Sequence, residues 1–126
     1  MVIRMIRIVP SIVPLALAAW LGIAPPALAH ASLDRAVPAV GSTVTVAPTA
    51  LRLRFTEAVV AHFSTVQVLD ARGHAVAAGA PSATDDGRTL VVGLPKLAPG
   101  AYTVVWHVTA EDTHKTEGRF GFSIAP

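Results

Sequence analysis

The chain has 126 residues, ten basic and eight acidic, with 52% hydrophobic side chains and no cysteine. That length holds one small domain. The missing cysteines exclude disulfide staples, thiolate zinc sites and thiol nucleophiles.

Residues 1–29 read as a secretory signal. Arg4 and Arg7 supply the basic start, Ile8 to Ile23 the apolar run, and Ala27-Leu28-Ala29 a small-residue cleavage pattern. An uncleaved anchor is the competing reading, because the run approaches membrane-spanning length. Pro10, Pro14 and Pro25-Pro26 argue against a straight helix there, and no basic cluster follows. Cutting after Ala29 leaves a 97-residue domain, 30–126, that begins with His30. Arg4 and Arg7 leave with the signal, so eight basic residues face eight acidic ones, which gives no argument for nucleic acid. Both methionines, Met1 and Met5, leave too, so the domain offers a metal only nitrogen and oxygen.

In the domain, short alternating runs are punctuated by glycine, proline and aspartate. Ala31–Val37 and Ser42–Val46 bracket a Pro38-Ala39-Val40-Gly41 turn. Leu51-Arg52-Leu53-Arg54-Phe55 is the cleanest strand, apolar on one face and arginine on the other. A helical turn is placed in Val59–Phe63, a strand at Thr65–Leu69, a turn at Asp70–Gly73 and a weak strand at His74–Ala78. Ala80–Arg88 reads as a polar connection with a turn at Asp85-Asp86-Gly87. Thr89–Leu94 is the next strand. Ala101–Thr109 follows with Tyr102, Val104, Trp106 and Val108 on one face, and Arg119–Ile124 closes the set with Phe120, Phe122 and Ile124 inward. About seven short strands in this length predict an all-β, immunoglobulin-like antiparallel sandwich with Greek-key connections.

Five histidines fall in the domain. His62, His74 and His107 lack a cluster signature and read as solvated side chains. His30 differs, because cleavage would give it an α-amine beside its imidazole, two nitrogens that close a chelate. In an extended segment, Asp112 and His114 would project to the same side. One amine, two imidazoles and one carboxylate suit tetragonal Cu(II); zinc could use the same donors. From spacing alone, a turn aspartate, a solvated loop and a frayed terminus explain these residues equally well.

Several segments together are more specific. His30-Ala31-Ser32-Leu33, Pro38-Ala39-Val40-Gly41-Ser42 and Leu51-Arg52-Leu53-Arg54-Phe55-Thr56-Glu57 are followed in order by three more. These are Tyr102-Thr103-Val104-Val105-Trp106, Asp112-Thr113-His114 and Gly118-Arg119-Phe120-Gly121-Phe122. Along nearly its whole mature length the chain resembles the CopC family of periplasmic copper-binding proteins. The resemblance implies Cu(II) ligands at His30 (amine and ring), Asp112 and His114, with Glu57 beside the metal as an accessory group. It implies one copper per chain, copper resistance or homeostasis as the role, and periplasmic location. The methionine-rich Cu(I) loop of some relatives is not carried over. A membrane copper transporter, fused in other relatives, would here be a separate partner.

The expectation is therefore an exported, monomeric Cu(II) carrier that is not an enzyme. Two other classes stand beside it: a histidine-brace copper monooxygenase and a plain immunoglobulin-like interaction module. Against the oxidase count the Asp112 carboxylate, which favours Cu(II), and the core placement of Trp106 and Tyr102.

Overall fold

The computed structural model describes residues 30–126, so the expected signal segment lies outside the described residues. Two four-stranded sheets face each other. The first has the order β1 (Leu33–Val37), β3 (Ala50–Phe55), β6 (Thr89–Gly93), β5 (Ser82–Ala83). The second runs β2 (Thr43–Val44), β8 (Lys115–Ile124), β7 (Gly100–Thr109), β4 (Thr65–Leu69). The fold is the expected all-β sandwich.

The alternation read from the sequence is what closes the core. Leu51, Leu53 and Phe55 of β3 turn inward with Leu90 and Val92 of β6, while Arg52 and Arg54 stay exposed. From the other sheet come Tyr102, Val104, Trp106 and Val108 of β7 and Phe120, Phe122 and Ile124 of β8, all buried. Aromatic packing orders this layer: Phe55 meets Trp106 edge-on across the sheets at 5.2 Å, and Tyr102 stacks on its cross-strand partner Phe122 at 5.5 Å. The Tyr102 hydroxyl donates to the Ala98 carbonyl at 2.6 Å, so its polar tip is satisfied.

Three local expectations change and a fourth holds. His74–Ala78 forms no strand; its pairing is a single bridge, Leu69 to Ala75, because beyond the Val76 N–H, which still reaches Val68, the Ala78 N–H turns back to the Val76 carbonyl. The polar connection at Ala80–Arg88 contains the two-residue edge strand β5. The expected strand at Ser42–Val46 shrinks to Thr43–Val44, and it pairs parallel to β8 in an otherwise antiparallel set. The helical turn falls at Ala61–Phe63 as a 3-10 turn.

The longest feature is the β7–β8 hairpin, ten residue pairs in unbroken register from Gly100–Ile124 to Thr109–Lys115. Its tip, residues 110–114, is held out at one end of the sandwich. The start of the described chain reaches the same end, because β1 pairs with β3 so that Leu33 lies opposite Phe55.

Candidate metal centre

The tip of the hairpin is a tight turn where an extended segment was expected. Thr113 donates its N–H to the Ala110 carbonyl, and Ala110 donates its own to His114, both at 2.9 Å. Thr113 sits at φ 76°, a left-handed conformation that costs energy in a β-branched residue. The turn still carries Asp112 and His114 to one side. Asp112 accepts the His114 N–H at 3.1 Å through one oxygen and faces His114 Nδ1 at 3.1 Å through the other.

That pairing sets the charge of Asp112 and the tautomer of the neutral His114 ring. The Asp112 carboxyl is held below the usual value, first by the His114 backbone N–H, then by the His114 ring; partial burial opposes this, and the charges of His114 and His30 add a little. An ionised carboxylate only accepts, so Nδ1 of His114 carries the proton and Nε2 keeps its lone pair for a metal.

His30 is exposed at the same end, but its backbone is fixed. Ala31 is 1% exposed and anchored in the core. Its carbonyl takes a 2.6 Å hydrogen bond from the Thr116 hydroxyl of β8. Ser32 and Thr56 exchange hydrogen bonds: the Thr56 N–H donates to the Ser32 carbonyl at 2.9 Å, and the Ser32 N–H to the Thr56 hydroxyl oxygen at 3.0 Å. The Thr56 hydroxyl also reaches the His30 carbonyl at 3.3 Å. The described chain therefore begins on a clamp, not a frayed end.

The clamp brings the two imidazoles together. The rings of His30 and His114 lie edge to face, with centroids 5.5 Å apart. Imidazole nitrogens bind at about 2 Å, which puts ring centres about 3 Å from the ion and no more than about 6 Å from each other. The observed spacing falls inside that limit. Among the described residues no three histidine or acidic side chains are yet gathered as a finished shell. What is present is the Asp112–His114 pair with the His30 ring beside it. A chelate from His30 alone would need a free α-amine beside its ring, which a cut after Ala29 would create.

Glu57 is half-buried and joins none of the ion pairs among the described residues. Its neighbours touch both halves of the centre: Thr56 bonds to His30, and the Ala58 carbonyl accepts the Glu111 N–H at 3.1 Å. The sequence reading missed Thr56, Ser32 and Thr116, which place His30 without offering it a ligand. Nothing in their spacing marks them, because their partners lie 24 and 85 residues away.

The other three histidines stay apart. His62 and His74 are exposed, His62 against Phe63 and His74 in the Asp70 turn. His107 is exposed on the outer face of β7, as expected. Among the described residues no helix is long and apolar enough to cross a membrane.

Comparison with known proteins agrees with this fold. A family model described as "CopC domain" matches residues 33–125. The chain is 38% identical over 104 residues to Protein YobA of Escherichia coli strain K12, covering 81% of this chain and 84% of that one. It is 35% identical over 107 residues to Copper resistance protein C of Xanthomonas campestris pv. juglandis, covering 78% and 82%. Among solved structures, CopC from Methylosinus trichosporium OB3b superposes with a TM-score of 0.73 at 31% identity, covering 77% of this chain and 95% of that one. PcoC, a methionine-rich copper resistance protein from Escherichia coli, superposes at 0.68 and 29% identity, covering 76% and 99%. Sandwich, clamp and match together lead to one statement: the chain belongs to the CopC family, whose members support a copper-related function.

Proposed function

We propose that the chain is an exported Cu(II) carrier that binds one copper per molecule at the His30–Asp112–His114 end. The observation that carries this is the approach of the His30 and His114 rings, with Asp112 fixing the His114 tautomer. His30 supplies its ring and, after cleavage at Ala29, its α-amine. His114 supplies Nε2. Asp112 ligates by turning its second oxygen from His114 Nδ1 toward the ion, while the first keeps its bond to the His114 backbone N–H. Glu57 serves as a nearby accessory carboxylate that can orient a ligating imidazole.

The donors are nitrogen and oxygen only, which suits Cu(II) better than Cu(I). They turn over no substrate in this reading, and the copper is cargo. In this reading the carrier works in the periplasm as a monomer, with a membrane copper transporter as a separate recipient. Protons compete with copper for the amine and imidazoles, so affinity falls as pH is lowered through their titration. Because the amine exists only in the processed chain, export switches the site on.

The test is a Cu(II) titration of the chain beginning at His30, followed by electron paramagnetic resonance. The same chain with one added N-terminal alanine is the control. The expected result is a one-to-one tetragonal signal with nitrogen coupling, clearly weakened by the added residue. Equal, weak binding by both forms would remove the amine from the site and overturn the carrier reading.

A further inference from the structure

A second pair of metal donors lies on the outer face of the β7–β8 hairpin. His107 and Glu117 are direct cross-strand partners, and His107 Nε2 stands 2.7 Å from Glu117 Oε2. Both side chains are exposed. Thr65 of β4 is in register with His107, so Thr65, His107 and Glu117 form one row across three strands. The row lines a groove of about 480 Å³ that Phe63 walls on one side.

The bland account is a cross-strand ion pair, and His107 can play that part only while it is protonated. The geometry fits a metal as well. Two donors on adjacent positions of one ion, each about 2 Å from it, stand about 2.8 Å apart. The existing distance matches, so an ion can sit beside both Nε2 and Oε2 without moving either strand. One imidazole and one carboxylate suit Cu(II) or Zn(II), with water in the open positions.

We infer that His107 and Glu117 form a second, weaker site for a divalent transition metal on the flank of the hairpin, distinct from its tip. With two protein donors it binds less tightly than a four-donor site. The charges around it weaken it further. Lys115 and Arg119 flank Glu117 at alternate positions on the same face and compete with a cation for its carboxylate. The inference stands whether or not the tip binds copper, because the two sites share no residue.

Zn(II), which is diamagnetic, is the probe. Amide chemical shifts are followed in the chain beginning at His30, in which all of the described core is retained. A saturable event confined to residues around His107, Glu117 and Thr65 is expected. It is lost in His107→Ala and in Glu117→Gln, retained in His114→Ala, and tightened in the Lys115→Gln, Arg119→Gln double variant. No saturable event on this face overturns the inference. So does an event that survives both His107→Ala and Glu117→Gln, which marks an adventitious ion elsewhere. Loss in His114→Ala would assign the event to the tip. The carrier reading fails separately, through the added-alanine control.

Discussion

Gly118 shows how one missing side chain supports the core beneath the candidate metal centre. It is the cross-strand partner of Trp106, and the indole lies over it. An added Cβ would overlap Cζ2 of Trp106 and lie 2.8 Å from Cε2. Gly118→Ala must push the ring off Phe55, which it meets at 5.2 Å. We expect a loss of about 1–3 kcal/mol, the usual range for overpacking, measured by denaturant unfolding. Trp106 is the only tryptophan from His30 onward, so its emission should shift in the same variant. Unchanged stability and emission would mean that the indole has another place to go. At this scale the sequence was legible in part. Inward Trp106 and outward His107 followed from strict alternation along β7. The left-handed Thr113 did not, because neither glycine nor asparagine marks the position, and so the Asp112–His114 segment read as extended.

At the scale of elements, the site depends on a hydrogen bond between distant parts of the chain. Thr116, one residue into β8, holds the Ala31 carbonyl and so fixes the direction from which His30 leaves the core. Thr116→Val keeps the shape and removes the donor. A lost hydrogen bond of this kind costs about 1 kcal/mol, so the fold should persist while Cu(II) affinity drops. Competition with a copper chelator reads the affinity, and circular dichroism checks the fold. Full affinity in the valine variant would show that His30 is placed by other contacts. The strong strands β3, β7 and β8 were plain in the sequence because each puts three or more large apolar residues on one face. The pairing of β2 beside β8 was not, since Thr43 and Val44 are too few to carry a period, and β5 has only Ser82 and Ala83.

Across the whole molecule, two turns away from the candidate metal centre, each built around an aspartate like the Asp112 turn, contribute to behaviour in acid. Asp86 accepts from the Thr84 hydroxyl at 2.6 Å and from the Arg88 N–H at 2.9 Å, and the Thr84 hydroxyl is the main reason its carboxyl is held below the ordinary 3.8. Asp70 is lowered chiefly by the His74 N–H, with the Arg72 N–H adding to it. Both carboxyls bind protons less readily folded than unfolded. Their stabilisation is therefore complete above 3.8 and is lost as pH falls through the lower folded values. Denaturant midpoints of the metal-free protein should hold steady down to that range and then drop. In Asp86→Asn, which keeps an acceptor oxygen and removes the charge, the drop should be shallower. A wild-type midpoint that is flat in strong acid would contradict the assignment.

The bond from Thr116 to Ala31 spans 85 positions. Synthesis delivers the amino end first, and contacts so far apart in sequence form late because a long loop must close before they do. The His30 end is therefore made early and waits for the last hairpin before the His114 ring lies beside it. On the carrier reading proposed above, copper capture would then report on completed folding: a chain stalled short of the last hairpin presents His30 without His114 beside it. On that reading the order of events in time, as much as the arrangement in space, would keep half-made molecules from holding the ion.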